Sequence, residues 1–261
     1  MDANLKPSTG LQQIIDNLRA RSDELPAAHA GLREHMLTPA AIASDIGRLE
    51  AWLEQQGIAA EGMDRKTQAA YMIGGLAWSV CIWMAALALT GHRPIRRVAF
   101  EQERYWWGTP EDGHEYVRYP ISIEVSDGPP NHRETIEQIF EPIIAATMVT
   151  SGLSAGAQWR LVADNVASAF LYGGKALGMA ARGMEIAGPI IAEGRLHNGK
   201  TGFLEITAGK ACDWFLVRGG CCRYYTTRDA EGDYCTSCVL RKRDDQIARY
   251  TEYLASLQTL E

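Results

Sequence analysis

Between Thr67 and Gly91 the chain runs for 25 residues, TQAAYMIGGLAWSVCIWMAALALTG, without a charged side chain. Such a run has two stable destinations: a helix across a bilayer, which takes about 20 mainly apolar residues, or a helix enclosed by protein on every side. Ala and Gly are frequent in it, and Thr67, Gln68 and Ser79 add polarity, so its hydrophobicity falls short of a Leu-rich span. Arg65 and Lys66 precede it and Arg93, Arg96 and Arg97 follow it, which leaves the orientation signal for insertion balanced. We therefore expect a buried core helix, with Cys81 an ordinary core residue and no transmembrane span; any membrane contact would be peripheral.

The rest of the chain can cover such a helix. With 261 residues, 46% hydrophobic and 22% charged, it can bury a substantial core as one large domain or two small ones. A net charge of -6 gives no global cationic surface for duplex nucleic acid, so no nucleic-acid partner is expected. The opening stretch, MDANLKPSTGLQQIIDNL, lacks the basic segment and the apolar run of about 7 to 15 residues that mark a secretory leader. A cytoplasmic location follows, where thiols stay reduced.

Helical spacing dominates the first third. Leu11, Ile14, Ile15 and Leu18 form one stripe and Ile42, Ile46, Leu49 and Leu53 another, the second bracketed by Thr38-Pro39 as cap and first-turn proline and by Gly57 as stop. In residues 116–125, Val117, Tyr119, Ile121, Ile123 and Val125 alternate with Arg118, Pro120, Ser122 and Glu124, the period of a half-buried strand. Pro120 places that strand at an edge or a bulge. The stretch around Val98 and Phe100 is its expected partner, and SDGPPN at 126–131 reads as a turn.

Further helices are expected over 133–149, from near Ser154 with Trp159, Val162, Val166, Phe170, Gly173 and Leu177 at helical spacing, and around 181–193. Short strands at 202–206 and 214–218 follow, then a last helix with Leu240, Ile247, Tyr250, Leu254 and Leu257 on one face. Segregated strands and helices make an α+β fold, mostly helical with a small antiparallel sheet. We divide it into residues 1–200 and a C-terminal segment, 201–261.

Four of the six cysteines fall in that segment, as Gly219-Gly220-Cys221-Cys222, 12 residues, then Cys235-Thr236-Ser237-Cys238. In a reducing compartment such a set points to metal rather than to disulfides. Four thiolates suit an iron-sulfur cluster and also structural zinc. A C-x2-C turn aims two sulfurs at one point, but neighbouring side chains of an extended chain diverge, so Cys221 and Cys222 converge only where the backbone bends sharply. Gly219 and Gly220 are expected to supply that freedom. A two-iron rhomb accepts sulfurs from more directions than one tetrahedral ion does, which favours the cluster and leaves zinc open.

A vicinal Cys-Cys followed by C-x2-C near the C-terminus resembles the FhuF-like ferric-siderophore reductases, and WRLVADNVASAFLYGG, from Trp159 to Gly174, is similar to that family's central region. The likeness covers the last hundred residues or so. One departure is the 12-residue loop between the cysteine pairs, longer than the expected length of about ten, and a change of that size is cheap in loop entropy.

The resemblance implies a [2Fe-2S] cluster on Cys221, Cys222, Cys235 and Cys238. It also implies an oxidoreductase in which an external donor, such as a ferredoxin or flavoprotein, supplies one electron to a ferric siderophore of hydroxamate type, so that iron(II) is released. Arg223 and Arg241, beside the ligands in sequence, are candidate contacts for substrate or donor. Basic residues from Arg218 to Arg243 should favour the reduced form of an anionic cluster. Two alternatives use the same cysteines: an electron carrier or redox sensor without siderophore activity, and a zinc-stapled interaction domain.

Gly194–Thr201, GRLHNGKT, matches G-x4-G-K-T letter for letter, but that phosphate loop needs a helix after it and β-like GFLEITAG follows here. A Gly-Asn turn before a strand is expected instead. His114 and His132 lie without metal-site spacing and read as surface residues. No G-x-G-x-x-G occurs, so no internal nicotinamide or flavin site is expected. Trp106-Trp107 and Tyr224-Tyr225 could offer an aromatic surface to a chelate.

Overall fold

The uncharged run forms one helix, Arg65–Leu89, whose first turn is capped by the Asp64 carboxylate accepting from Thr67 N. By length and composition it could cross a membrane, yet 78% of its most apolar window is buried inside the protein. Ile73, Leu76, Val80, Trp83 and Ala85 all lie in the main core, as does Cys81, whose thiol burial pushes up.

In this computed structural model residues 9–21, 25–109 and 111–258 are described. The first eight residues, part of the stretch read for a leader, and the side chain of Trp107 lie outside that description. The elements in chain order are α1 (Thr9–Arg19), β1 (Ala28–Ala30), α2 (Pro39–Ser44), α3 (Ile46–Gln55), α4 (Arg65–Leu89), β2 (Ile95–Phe100), β3 (Glu103–Trp107), β4 (His114–Arg118), β5 (Ile121–Val125), α5 (His132–Ser151), α6 (Ala155–Ala176), α7 (Ala180–Ala192), β6 (Gly202–Ala208), β7 (Ala211–Val217) and α8 (Arg243–Gln258). The fold is mostly helical α+β. Its small sheets have the orders β1-β5-β2, β3-β4 and β6-β7.

Two expected elements are each divided by one residue. Asp45 ends α2 and caps α3, its carboxylate accepting from Arg48 N at 3.0 Å, so the helix expected after Thr38-Pro39 is two short ones. Pro120, which has no N–H to give a ladder, separates β4 from β5 where one strand was expected. The second half, β5, sits in the middle of its sheet rather than at an edge. It pairs with β2 through Val98 opposite Ile123 and Phe100 opposite Ile121, and runs parallel to β1 on its other side.

Adjacent glycines in α4 serve different ends. A Cβ at Gly75 would stand 2.8 Å from the buried Tyr119 ring, whose hydroxyl accepts from Gln56 and Gln102 at 2.8 and 3.0 Å. At Gly74 an added Cβ meets nothing within 4 Å. Gly74→Ala should therefore stabilise the protein by ~0.5–1 kcal/mol, the helix cost of glycine, which a urea melt would read.

His132, the first residue of α5, meets the Phe170 ring edge-on at 6.1 Å, and its burial holds the imidazole below its usual range of about 6.5. Expected on the surface, it is a partly buried residue. The unfolded chain takes up a proton that the folded one resists, so this group withdraws stability as pH falls below about 6.5. Urea midpoints at about pH 7.5 and pH 5.5 should show that loss, and His132→Phe should reduce it.

The C-terminal segment carries a small core of its own. Ile206 and Phe215 of the β6-β7 hairpin pack with Tyr250 and Leu254 of α8, and the Phe215 and Tyr250 rings stack at 4.4 Å. The hairpin also docks on α6, where Leu216 meets Ala167 and Leu171. Leu240 lies before α8 and is exposed, so the last amphipathic stripe starts later than expected.

Candidate metal centre

The hairpin delivers its outgoing strand to the side of α6, and there the chain meets a buried carboxylate. Asp164 accepts from Gly219 N at 2.7 Å and Gly220 N at 2.9 Å, from the Thr201 hydroxyl at 2.6 Å and from Arg218 Nε at 3.3 Å. Burial pushes this carboxyl up, opposed by Arg218, by Thr201 and by the two amides. With this many donors aimed at its oxygens, the ionised form is the one the surroundings serve.

The role of Gly219 and Gly220 differs from the one expected. Neither adopts a left-handed φ. Their value is closeness: a Cβ at Gly220 would stand 2.9 Å from Leu161 N, and one at Gly219 would stand 2.5 Å from the Asn198 side chain. The sharp bend comes three residues after Gly220, at Arg223, whose φ of 64° is left-handed. Arg223 N then points back at Cys221 Sγ, 3.4 Å away, and the Tyr224 amide bonds Cys222. At the second pair a tight turn closes with Cys238 N donating to Cys235 O at 3.0 Å.

These bends bring two of the four sulfurs together. Cys222 and Cys235 hydrogen-bond each other, and Arg218 Nη1 lies 3.9 Å from the first sulfur and 4.0 Å from the second. The Cys222 thiol is pulled down because the Cys235 S–H donates to it and Arg218 lies alongside; Cys235, which keeps the shared proton, is pushed up. The pair thus loses its first proton easily and holds its second. Cys238 is buried, and the other three are partly exposed.

Arg223 and Arg241 are both committed to protein partners. Arg223 bonds Asp64 Oδ2 at 2.7 Å and Thr67 Oγ1 at 3.2 Å, tying the cysteine loop to the start of α4. Arg228 N to Glu61 O and Glu61 N to Asp229 Oδ2, each 2.9 Å, add to that seam. Arg241 pairs with Asp233 and Asp245 at 2.9 Å each, and gives hydrogen bonds to the carbonyls of Tyr234 and Cys235. Its side chain is 7% exposed.

Asp164, Thr201 and the special place of Arg218 were missed by spacing arguments. One signal existed: Asp164 is the one charge in the mainly apolar Leu161–Phe170 stretch, and a charge there needs partners. Thr201 ends the phosphate-loop look-alike, which here is a turn leading into β6; Asn198 Oδ1 accepts from Lys200 N and Thr201 N, both at 2.9 Å.

The donor set suits an iron-sulfur cluster. Four thiols sit on one loop, two of their sulfurs receive backbone N–H bonds, and a largely buried guanidinium lies beside two of them, the kind of surroundings that tunes cluster potentials. Among the described residues no three His, Cys, Asp or Glu side chains stand close enough together to hold a metal, so the geometry alone does not separate a cluster from zinc.

No family model matches this chain, and no curated protein matches it closely enough to be a relative.

Proposed function

We propose that the chain is a ferric-siderophore reductase that holds a [2Fe-2S] cluster on Cys221, Cys222, Cys235 and Cys238. The observation that carries this reading is the Asp164-Arg218 clamp, which anchors the backbone entering the cysteine loop and sets a cation against Cys222 and Cys235. Bound there, the cluster would take one electron from an external ferredoxin or flavoprotein and give it to the iron(III) of a hydroxamate siderophore, which then lets go of iron(II). The residues of the chain hold, orient and bias. Asp164 fixes the loop, Arg218 favours the more negative, reduced form, and the Arg223 and Tyr224 amides bond sulfur. As contacts for substrate or donor, Arg223 and Arg241 would have to trade their present partners.

Anaerobically purified protein should be coloured, contain acid-labile sulfide and give an EPR signal on dithionite reduction. Cys→Ala at any of the four positions should remove most of the bound iron. Adding a ferric hydroxamate to the reduced protein should restore the oxidised spectrum. No reoxidation by any ferric chelate would leave an electron carrier or sensor, and a colourless protein containing zinc and no sulfide would establish the zinc-stapled alternative.

A further inference from the structure

Beside the cysteines a cleft of about 390 Å³ opens between α4, α6, the end of β7 and the cysteine loop. Its wall includes Tyr71 and Gly74 from α4, Asn165 and Ser168 from α6, Arg218, and Cys222, the one of the four cysteines to reach it. Gly74 is a poor helix residue in mid-helix, and no neighbour requires it, since a Cβ there would meet nothing within 4 Å. What glycine provides at that position is open space in the cleft.

The chemistry of the wall selects a class of occupant. The wall carries the polar side chains of Tyr71, Asn165, Ser168 and Ser237, and its two ionised groups, Asp164 and Arg218, already pair with each other at 3.3 Å. Thiolate ligands next to it add negative charge. An oxygen-rich solute without net charge can accept hydrogen bonds there at no electrostatic penalty, whereas an anionic one is repelled. A tris-hydroxamate of a trivalent metal is uncharged and carries acceptor oxygens outward; a tris-catecholate is strongly anionic.

We propose that this cleft is the docking site of the metal chelate, that it takes uncharged hydroxamate complexes in preference to anionic catecholate ones, and that it presents them to Cys222. The proposal rests on the reductase reading for its choice of substrate, but it is tested by binding alone. A second groove, about 790 Å³, lies on the far side of Tyr172 between β7 and α8, and includes Phe215, Tyr250 and Tyr253. It approaches the cysteines only through Thr236.

The test uses gallium(III), which forms the same complexes as iron(III) without accepting an electron. Calorimetric titration of the cluster-loaded, full-length protein with tris(acetohydroxamato)gallium(III) should give saturable binding. Gly74→Phe, which fills the cleft from α4, should weaken it at least tenfold, and Ser168→Leu, which fills it from α6, should act in the same direction. Tyr253→Ala in the other groove should leave it unchanged, and tris(catecholato)gallium(III) should bind at least tenfold more weakly. Retention of the visible spectrum of the cluster shows which variants are folded at the site.

Wild-type affinity in folded Gly74→Phe or Ser168→Leu protein overturns the proposal, as does weakening by Tyr253→Ala, absence of hydroxamate binding, or equal binding of the catecholate complex. The reductase reading fails separately, when the gallium complex binds as described and the ferric complex is not reduced.

Discussion

Asp164→Ala should unfasten the cysteine loop, lower stability by about 3–5 kcal/mol and leave the protein unable to retain iron. The magnitude follows from what the carboxylate leaves behind. Its side chain is 3% exposed and that of Arg218 19%, so removal strands a largely buried guanidinium with its principal countercharge gone. The Gly219 and Gly220 amides lose their acceptors as well. Asp164→Asn keeps an acceptor but no charge, and should fall between the two. Urea midpoints and iron content of the purified variants read both effects together. A variant within about 1 kcal/mol of wild type that keeps its iron would show that the clamp does not organise the centre.

Gly183→Ala should be nearly as damaging, although it lies away from every cysteine. Gly183 of α7 crosses α6 where a Cβ would collide with the Phe170 carbonyl, which is backbone and cannot rotate aside. Alanine should gain about 1 kcal/mol in helix propensity, yet separating two packed helices costs roughly 3 kcal/mol or more, so the clash wins. A lower thermal midpoint together with weakened iron retention is expected, since α6 also carries Asp164. Gly74→Ala, another glycine-to-alanine change in a helix, should move the midpoint upward.

Much of the helical scaffold was legible because single residues announce it. Thr38 and Ser154 cap α2 and α6, and the charge-free run could only be buried or membrane-spanning. Legibility failed where a local signal was double-edged. Asp45 reads equally as a polar residue on a helix surface and as a cap between two helices. Pro120 reads as an edge-strand proline until the partners of β5 are known, and those lie 21 to 93 residues away in β2 and β1.

The four cysteines were legible as a set, but their anchor was not. Asp164 lies 57 residues before Cys221, and nothing in local spacing links them. Arg223 and Arg241 were singled out for their sequence neighbourhood, whereas their guanidinium groups hold the loop from either side.

The seam between the cysteine loop and the start of α4 joins Arg223 to Asp64 across 159 positions. During synthesis the receiving half of that seam, with the Asp164 carboxylate and the Thr201 hydroxyl, leaves the ribosome before any of the four cysteines. The berth therefore exists before the part that docks in it, and on the proposed reading iron loading would be the closing step of assembly. Contacts so distant in sequence form slowly, so the four cysteines would stay accessible until late in folding.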